Sequence, residues 1–177
     1  GAKHNTAARF KMDYGDVAGA FKSAARIIAR TCSMHRGVAH SMETRGVVAT
    51  WDGMEERATL WSSTQTPHAN KKLLCEMLGL EDDQVRVVTP EIGGGFGPKL
   101  VFYGEEIVAV IAARLIERPV KWIEDRREHF LTATQERDQW WEIELALDAQ
   151  ARIRGVRLVM THDNGAYFPW GIITPYI

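Results

Sequence analysis

The sequence predicts a mixed α/β (α+β) fold, in which strand–helix–strand units contribute to a mixed sheet and hairpins flank them. Between residues 58 and 123, short β-branched runs alternate with segments whose apolar residues recur at helical spacing. On either side of that region, apolar runs of strand length are joined by turn signals. A chain of 177 residues suffices for one domain, or two small ones, with a buried core.

The predicted elements follow a loosely held N-terminal segment, residues 1–14. They are a helix over 16–26 with Asp16 as N-cap, strands over 27–36, 47–51 and 58–62, a helix from Thr66-Pro67 to a Gly79 cap, a strand over 85–88, a helix over 105–115, a strand over 120–123, one helical turn over 125–130, and strands over 140–147 and 152–161. We expect the strands around the helix that begins at Thr66 to be parallel. Residues 163–171 are predicted to be a loop, and the apolar residues 172–177 carry no stop signal, so we expect the natural chain to continue.

Composition is that of an ordinary globular protein and argues against several functions. Apolar residues make up 45% of the chain, charged residues 25%, and the net charge is −1. With so little net charge, nucleic-acid binding is not expected. No apolar run approaches the ~20 residues of a membrane span, and no signal peptide is visible. Cys32 and Cys75 lack CxxC spacing, which favours a reducing, cytoplasmic location.

The most informative stretch is Ile92-Gly-Gly-Gly-Phe-Gly-Pro-Lys99, between a predicted strand and a predicted helix. Its four glycines leave the backbone bare, either for a tight turn or for a planar or anionic ligand that approaches closely. The spacing does not fit a Walker A loop, because Leu100 stands where a hydroxyl is required. It does not fit a dinucleotide fingerprint either, because Pro98 replaces the third glycine. From spacing alone, the ligand and the purely structural turn both remain open.

A second polar segment, Ser62-Ser-Thr-Gln-Thr-Pro-His68, lies between a predicted strand and the start of a predicted helix. Polar side chains at the carboxyl end of a strand in an α/β sheet commonly face a ligand crevice. Gln65 lies just before the cap, where its amide is placed to donate to an oxygen or phosphate acceptor. The alternative is that Ser63, Thr64 and Thr66 merely cap the helix.

The remaining polar and aromatic residues predict no further site. The six histidines form no HxH or HExxH pair, and His40 with Glu43 is expected to lie in a turn rather than to bind a metal. The run Glu124-Asp-Arg-Arg127 is interpreted as a solvated charge cluster. Most of the tryptophans are expected to pack in the core or across strands.

Five motifs, taken in order, resemble a known family. They are Ser41-Met-Glu-Thr-Arg45, Trp61-Ser-Ser-Thr-Gln65, Ile92-Gly-Gly-Gly-Phe-Gly-Pro-Lys99, Arg118-Pro-Val-Lys-Trp-Ile-Glu-Asp-Arg126 and Asp163-Asn-Gly-Ala-Tyr167. The chain is similar to the molybdopterin-binding large subunit of the xanthine dehydrogenase, aldehyde oxidase and aerobic carbon monoxide dehydrogenase family. The resemblance runs from about Ala7 to the end, and it implies that residues 1–177 form part of a molybdenum cofactor-binding domain.

The resemblance implies a molybdenum-dependent oxidoreductase. In this family a molybdopterin, often as its cytosine dinucleotide, holds a single molybdenum. The enzymes hydroxylate a small molecule such as an aldehyde or an N-heterocycle, or oxidise carbon monoxide, with water as the oxygen source. Electrons pass to 2Fe–2S clusters and FAD on partner chains or domains. The implied partners are the remaining large-subunit domains, an iron–sulfur subunit and an FAD subunit.

The resemblance also implies roles for individual residues. Gln65 takes the place of the glutamine that hydrogen-bonds an oxygen ligand of molybdenum. The cofactor-lining loop corresponds to Gly94, Gly95, Phe96 and Gly97. Gln65 and Phe96 would then belong to the environment of the metal without ligating it. Bare backbone donors can stabilise such oxygens without an added counter-charge.

The chain also departs from the family pattern. Leu100 stands where purine-oxidising members carry Glu, so a purine substrate is not expected. Pro98 stands where carbon monoxide oxidisers typically carry Asn. The chain contains neither their cysteine loop nor the family's C-terminal glutamate base, so its catalytic residue is unknown and the isolated chain is expected to be inactive. The alternative is a non-catalytic binding or interaction domain that keeps the frame without the cofactor.

Overall fold

A computed structural model describes residues 5–166 of the chain, which divide into two compact units. The first unit combines the chain up to Gly37 with the chain from Arg137 onward. The second is the continuous segment Val38–Glu136. Residues 1–4, the end of the predicted loop including Tyr167 of the fifth motif, and residues 172–177 lie outside the described part.

The described elements match the predicted order. They are α1 (Val17–Lys22), β1 (Arg26–Met34), β2 (Gly46–Asp52), β3 (Arg57–Ser62), α2 (Pro67–Leu78), β4 (Val85–Val88), α3 (Gly104–Ile116), β5 (Val120–Ile123), α4 (Arg126–Thr132), β6 (Gln139–Leu147) and β7 (Ile153–His162), with short 3-10 turns at Asp82–Gln84 and Pro98–Leu100. The mixed α/β class is therefore confirmed.

The second unit is built on a four-stranded mixed sheet in the order β4-β3-β2-β5. Strands β3 and β4 are parallel, as predicted for the unit they form with α2, and β2 and β3 form the predicted hairpin. Strand β5 pairs antiparallel with β2 and is the outermost strand on the side of the sheet away from β4. Leu60 of β3 and Leu74 of α2 are fully buried in the core, where each such side chain contributes about 1.5–3 kcal/mol.

Helix α3 packs on this core through a single stripe. Its buried positions are Glu106, Ala109, Val110 and Ala113, which recur at helical spacing. The prediction that α3 is buried is right for this stripe only, because Val108 and Leu115 on its other side are exposed. Because α3 is rich in apolar residues, its sequence alone does not indicate which side of the helix is buried.

The first unit contains an antiparallel three-stranded sheet in the order β1-β6-β7. Strands β6 and β7 are the predicted hairpin. Helix α1 packs on the sheet at Gly155, where a Cβ atom would lie 3.0 Å from that of Ala20. Ala146, which pairs with Gly155, is consequently fully buried.

The first helix is shorter than predicted. Asp16 is its N-cap, as expected, and accepts from the Gly19 N–H at 2.8 Å. The helix ends at Lys22 rather than at residue 26, because Ser23 forms the C-cap and Arg26 already pairs with Leu147 in the sheet. Strand pairing overrides the helical spacing of the last residues.

Candidate functional site

The topology of the second unit brings four loops together at one edge of its sheet, the edge formed by the carboxyl ends of the parallel strands β3 and β4. Because β3 and β4 are parallel, the segments that follow them leave the sheet at the same edge. The start of β2 lies at this edge too, since Val47 pairs with Ser62, the last residue of β3. The end of β5 completes the set, since Gly46 pairs with Ile123. Residues 41–45, 63–66, 89–103 and 124–125 therefore meet at the position where α/β sheets commonly bind ligands.

Gln65 contacts the glycine loop directly. The Gly97 N–H donates to Gln65 Oε1 at 3.1 Å. An N–H group requires an acceptor, so this bond fixes which end of the amide is oxygen. The Gln65 side chain is exposed, and over residues 5–166 its Nε2 has no acceptor. Both N–H donors of the Gln65 amide nitrogen are therefore free among the described residues.

Gly95 is the residue on which the Gln65 side chain rests. It is buried, and a Cβ atom built on it would lie 2.5 Å from Gln65 Oε1. Real Cβ contacts are not this short, so any larger residue would displace the Gln65 amide. The glycine at this position is explained by close approach of a side chain.

The sign of the backbone φ angle alternates from Gly94 to Phe96. The φ angles are +97° at Gly94, +51° at Phe96 and +101° at Gly97, while Gly95 keeps an ordinary φ. A positive φ is uncommon for Phe and costs about 1 kcal/mol or more. Its side chain is 69% exposed, so core packing does not explain the strain.

The same loop carries backbone donors that are left unpaired. Within the described chain, the N–H groups of Gly94, Gly95 and Phe96 have no hydrogen-bond acceptor. Buried N–H groups are nearly always paired, and Gly95 is buried. Turns of alternating handedness form concavities that bind anionic or oxygen-rich groups. With Gln65 Nε2, the site offers a set of uncharged hydrogen-bond donors.

Glu43, which lies outside the glycine loop in the sequence, binds both of its ends. Its Oε2 accepts from the Gly93 N–H at 2.9 Å and from the Lys99 ammonium at 2.7 Å. Partial burial opposes ionisation of Glu43, but the Lys99 and Gly93 donors outweigh it and hold the pKa of Glu43 below its ordinary value. Neither residue was among the predicted site residues, although both belong to the motifs that carry the resemblance.

The alternative that Ser63, Thr64 and Thr66 simply cap α2 is right for the position of Thr66 and wrong for the side-chain bonds. Thr66 occupies the N-cap, but its hydroxyl makes no cap bond and instead donates to the Leu100 carbonyl at 3.0 Å. Thr64 Oγ1 donates to the Lys99 carbonyl at 3.3 Å. Ser63 Oγ accepts from the first N–H of β2. These hydroxyls tie the Gln65 segment to the end of the glycine loop and to the neighbouring strand.

A buried ion pair lies beside these loops. Arg45 donates to Glu124 Oε1 from Nη2 at 2.6 Å and from Nε at 3.0 Å. The interpretation of Glu124 as part of a solvated cluster is wrong, because the residue is 1% exposed. Burial opposes its ionisation, but Arg45 and His129 outweigh it and lower the pKa of Glu124 to about 2. The local charge run hid a partner 79 residues earlier in the chain.

A second buried carboxyl joins β3, α2 and α3. Glu106 Oε1 accepts from Ser62 and from Asn70, each at 2.6 Å, and its Oε2 accepts from the Tyr103 N–H at 2.9 Å. Burial raises the pKa of Glu106 although these donors oppose the shift. The carboxyl lies inside the framework that supports the loops.

The described residues contain no group of three His, Cys, Asp or Glu side chains that could hold a metal ion. No helix in this part of the chain is long and apolar enough to cross a membrane. The loops at this edge instead present hydrogen-bond donors, namely Gln65 Nε2 and the unpaired N–H groups of residues 94–96. This set fits a cofactor that brings its own metal ligands and presents oxygen acceptors.

Fold and loop geometry together are those of an α/β domain that presents neutral hydrogen-bond donors at the carboxyl ends of its parallel strands. The family model for the molybdopterin cofactor-binding domain matches residues 1–177, so the chain belongs to that family. Nicotine 6-hydroxylase large subunit from Paenarthrobacter nicotinovorans is 39% identical over 163 residues, which is 92% of this chain and 20% of that protein. Carbon monoxide dehydrogenase large chain from Hydrogenophaga pseudoflava is 36% identical over 126 residues, covering 71% of this chain and 16% of that protein.

Solved structures agree with the fold. Quinoline 2-oxidoreductase from Pseudomonas putida 86 superposes with a TM-score of 0.78 and 34% identity, over 89% of this chain and 20% of that chain. Carbon monoxide dehydrogenase from Oligotropha carboxidovorans gives a TM-score of 0.73 and 32% identity, over 84% of this chain and 18% of that chain. The relatives are molybdenum oxidoreductases, and this chain spans no more than a fifth of the length of each of these four.

Proposed function

We propose that this chain contributes one wall of the molybdenum site of a molybdenum hydroxylase. When bound, the molybdopterin cofactor supplies the redox chemistry, with water as the source of oxygen. Gln65 Nε2 would donate to an oxygen acceptor of the cofactor, and the N–H groups of Gly94, Gly95 and Phe96 would line it. The single observation that supports this most strongly is the Gly97-to-Gln65 bond, which occupies the amide oxygen and leaves the donor end free.

For the substrate, we propose a small N-heterocycle in preference to an aldehyde. Two of the more similar relatives are named for nicotine and quinoline, which are both N-heterocycles. Leu100, which stands where purine-oxidising members of the family carry Glu, supports the exclusion of purines. We further propose that the cofactor is the cytosine dinucleotide form, and that electrons leave for 2Fe–2S clusters and FAD on partner chains.

The test is Gln65→Ala in the complete enzyme complex. We expect stoichiometric molybdenum in the wild-type complex. In the variant, loss of a preorganised donor should lower kcat about 10²- to 10³-fold. Gln150→Ala is the matched control, because Gln150 lies in an exposed turn and its side chain makes no hydrogen bond within residues 5–166. Unchanged turnover and molybdenum content in Gln65→Ala would instead support the non-catalytic binding domain.

A further inference from the structure

One carboxylate oxygen joins the two ends of the glycine loop. Glu43 Oε2 accepts from the N–H of Gly93, the first glycine, and from the ammonium of Lys99, the residue that ends the loop. The Glu43 N–H also donates to the Gly93 carbonyl at 3.2 Å. Glu43 therefore holds the start of the loop through its backbone and side chain, and the end through an ion pair.

Lys99 connects this ion pair to Gln65. Its side chain is fully buried, and its carbonyl accepts from the Gln65 N–H at 2.9 Å and from Thr64 Oγ1. The Gln65 side chain then returns to the loop by accepting from Gly97. Gln65 is thus bonded to the glycine loop at two points, the Lys99 carbonyl and the Gly97 N–H. A shift of Lys99 would therefore move both the loop and Gln65.

The charge of Lys99 is not required to fill the core. The Lys99 side chain is fully buried while that of Glu43 is 43% exposed, so the desolvation cost falls on the ammonium. An apolar residue of similar volume often serves the fold equally well. Within the described chain, Glu43 is the residue that neutralises the buried ammonium. A charge kept in so costly a place points to a geometric role.

We propose that Glu43 and Lys99 are positioning residues for the cofactor site. Their ion pair holds residues 93–99 in register with Gln65, so that Gln65 Nε2 and the loop N–H groups present a fixed set of donors to the cofactor. This inference rests on the proposed function, and it assigns the pair no contact with the substrate.

The test uses the complete complex with three variants: Glu43→Gln, Lys99→Met, and both together. Glu43→Gln leaves a buried ammonium unpaired, so its melting temperature should fall. Lys99→Met should restore it in the double variant, because no buried charge then remains. We expect Lys99→Met and the double variant to retain molybdenum. Both should show an altered electron paramagnetic resonance spectrum of the partly reduced metal, and a kcat about 10²-fold lower.

The matched control is Lys71→Met. Lys71 forms an ion pair with Asp82 at 2.6 Å, and the Asp82 side chain is 86% exposed. The Lys71→Met variant should leave the electron paramagnetic resonance spectrum unchanged. A double variant with wild-type melting temperature, wild-type spectrum and wild-type kcat would overturn the inference. Should Glu43→Gln fail to fold, the other two variants still carry the test. Wild-type complex without molybdenum would reject the proposed function itself, which is a different result.

Discussion

At the scale of single residues, the free donors of the candidate site come from glycine-rich backbone and from one uncharged side chain, that of Gln65. Gly95 lies against Gln65, and Gly94 lies against the Phe96 ring, where a Cβ atom would be 2.7 Å from Phe96 Cε2. The free donors are an amide and backbone N–H groups. Such donors complement oxygen acceptors without the desolvation cost of a buried cation.

Gly95→Ala should damage the site without unfolding the domain. The added Cβ would lie 2.5 Å from Gln65 Oε1, so the amide must rotate away and lose its bond from Gly97. In the complete complex we expect lower molybdenum content or a lower kcat, at nearly unchanged melting temperature. Gly104→Ala is the control, because Gly104 begins α3 with open space around it. Equal activity of the two variants would contradict the proposed contact.

Glu124 should make the stability of the protein sensitive to acid. Its pKa is lowered from 4.5 to about 2 in the folded state. A depressed carboxyl pKa stabilises the fold above the unfolded value, and this contribution is lost as the pH falls from about 4.5 towards 2, roughly 3 kcal/mol in all. Denaturant titrations across this range measure the loss.

The companion variant for that titration is Glu124→Gln. It should be destabilised at pH 7 by up to about 3–5 kcal/mol, since Arg45 stays buried and keeps only its longer ion pair with Glu105, at 3.5 Å. It should also lose less stability on acidification than the wild type. Parallel pH profiles for the two proteins would show that Glu124 is not the group responsible.

At the scale of elements, the sequence supports predictions that depend on local pattern. The parallel β3–β4 pair, both hairpins and the Gly79 cap follow from periodicity and turn residues, and all are observed. The pairing of β1 with β6 and of β5 with β2 was not predicted, because it joins segments far apart in the chain. The Arg45–Glu124 pair escaped prediction for the same reason.

The candidate site likewise combines contacts that the local sequence pattern predicts with contacts that it does not. The meeting of Gln65 with residues 95–97 could be expected, because their motifs follow adjacent parallel strands. The Glu43–Lys99 pair could not, since it depends on the Lys99 side chain turning inward to meet a carboxylate 56 residues earlier in the chain. Motif membership was the one signal that could have drawn attention to it.

Helix α2 should hold the Gln65 segment through Leu74. This side chain is fully buried, so Leu74→Ala should cost about 2–5 kcal/mol in unfolding free energy. Its neighbour Leu73 is 37% exposed, and Leu73→Ala should cost clearly less. Urea unfolding of both variants makes the comparison. Similar losses would mean that α2 packs on the sheet through a different face.

At the scale of the whole molecule, the chain spans about a fifth of the length of nicotine 6-hydroxylase large subunit. Each of its two units is built on a separate sheet. Under the proposed function, the free donors at the edge of the four-stranded sheet form one side of the cofactor site. Such donors can be uncharged, because the cofactor would bring its own metal ligands.

The most direct test is a crystal structure of the complete large subunit with its cofactor bound. We predict an oxygen atom of the cofactor about 3 Å from Gln65 Nε2, with the Gly97 N–H still bonded to Gln65 Oε1. The Gly94–Phe96 backbone should line the same cavity. A cofactor bound elsewhere, with Gln65 Nε2 facing only solvent, would contradict the account.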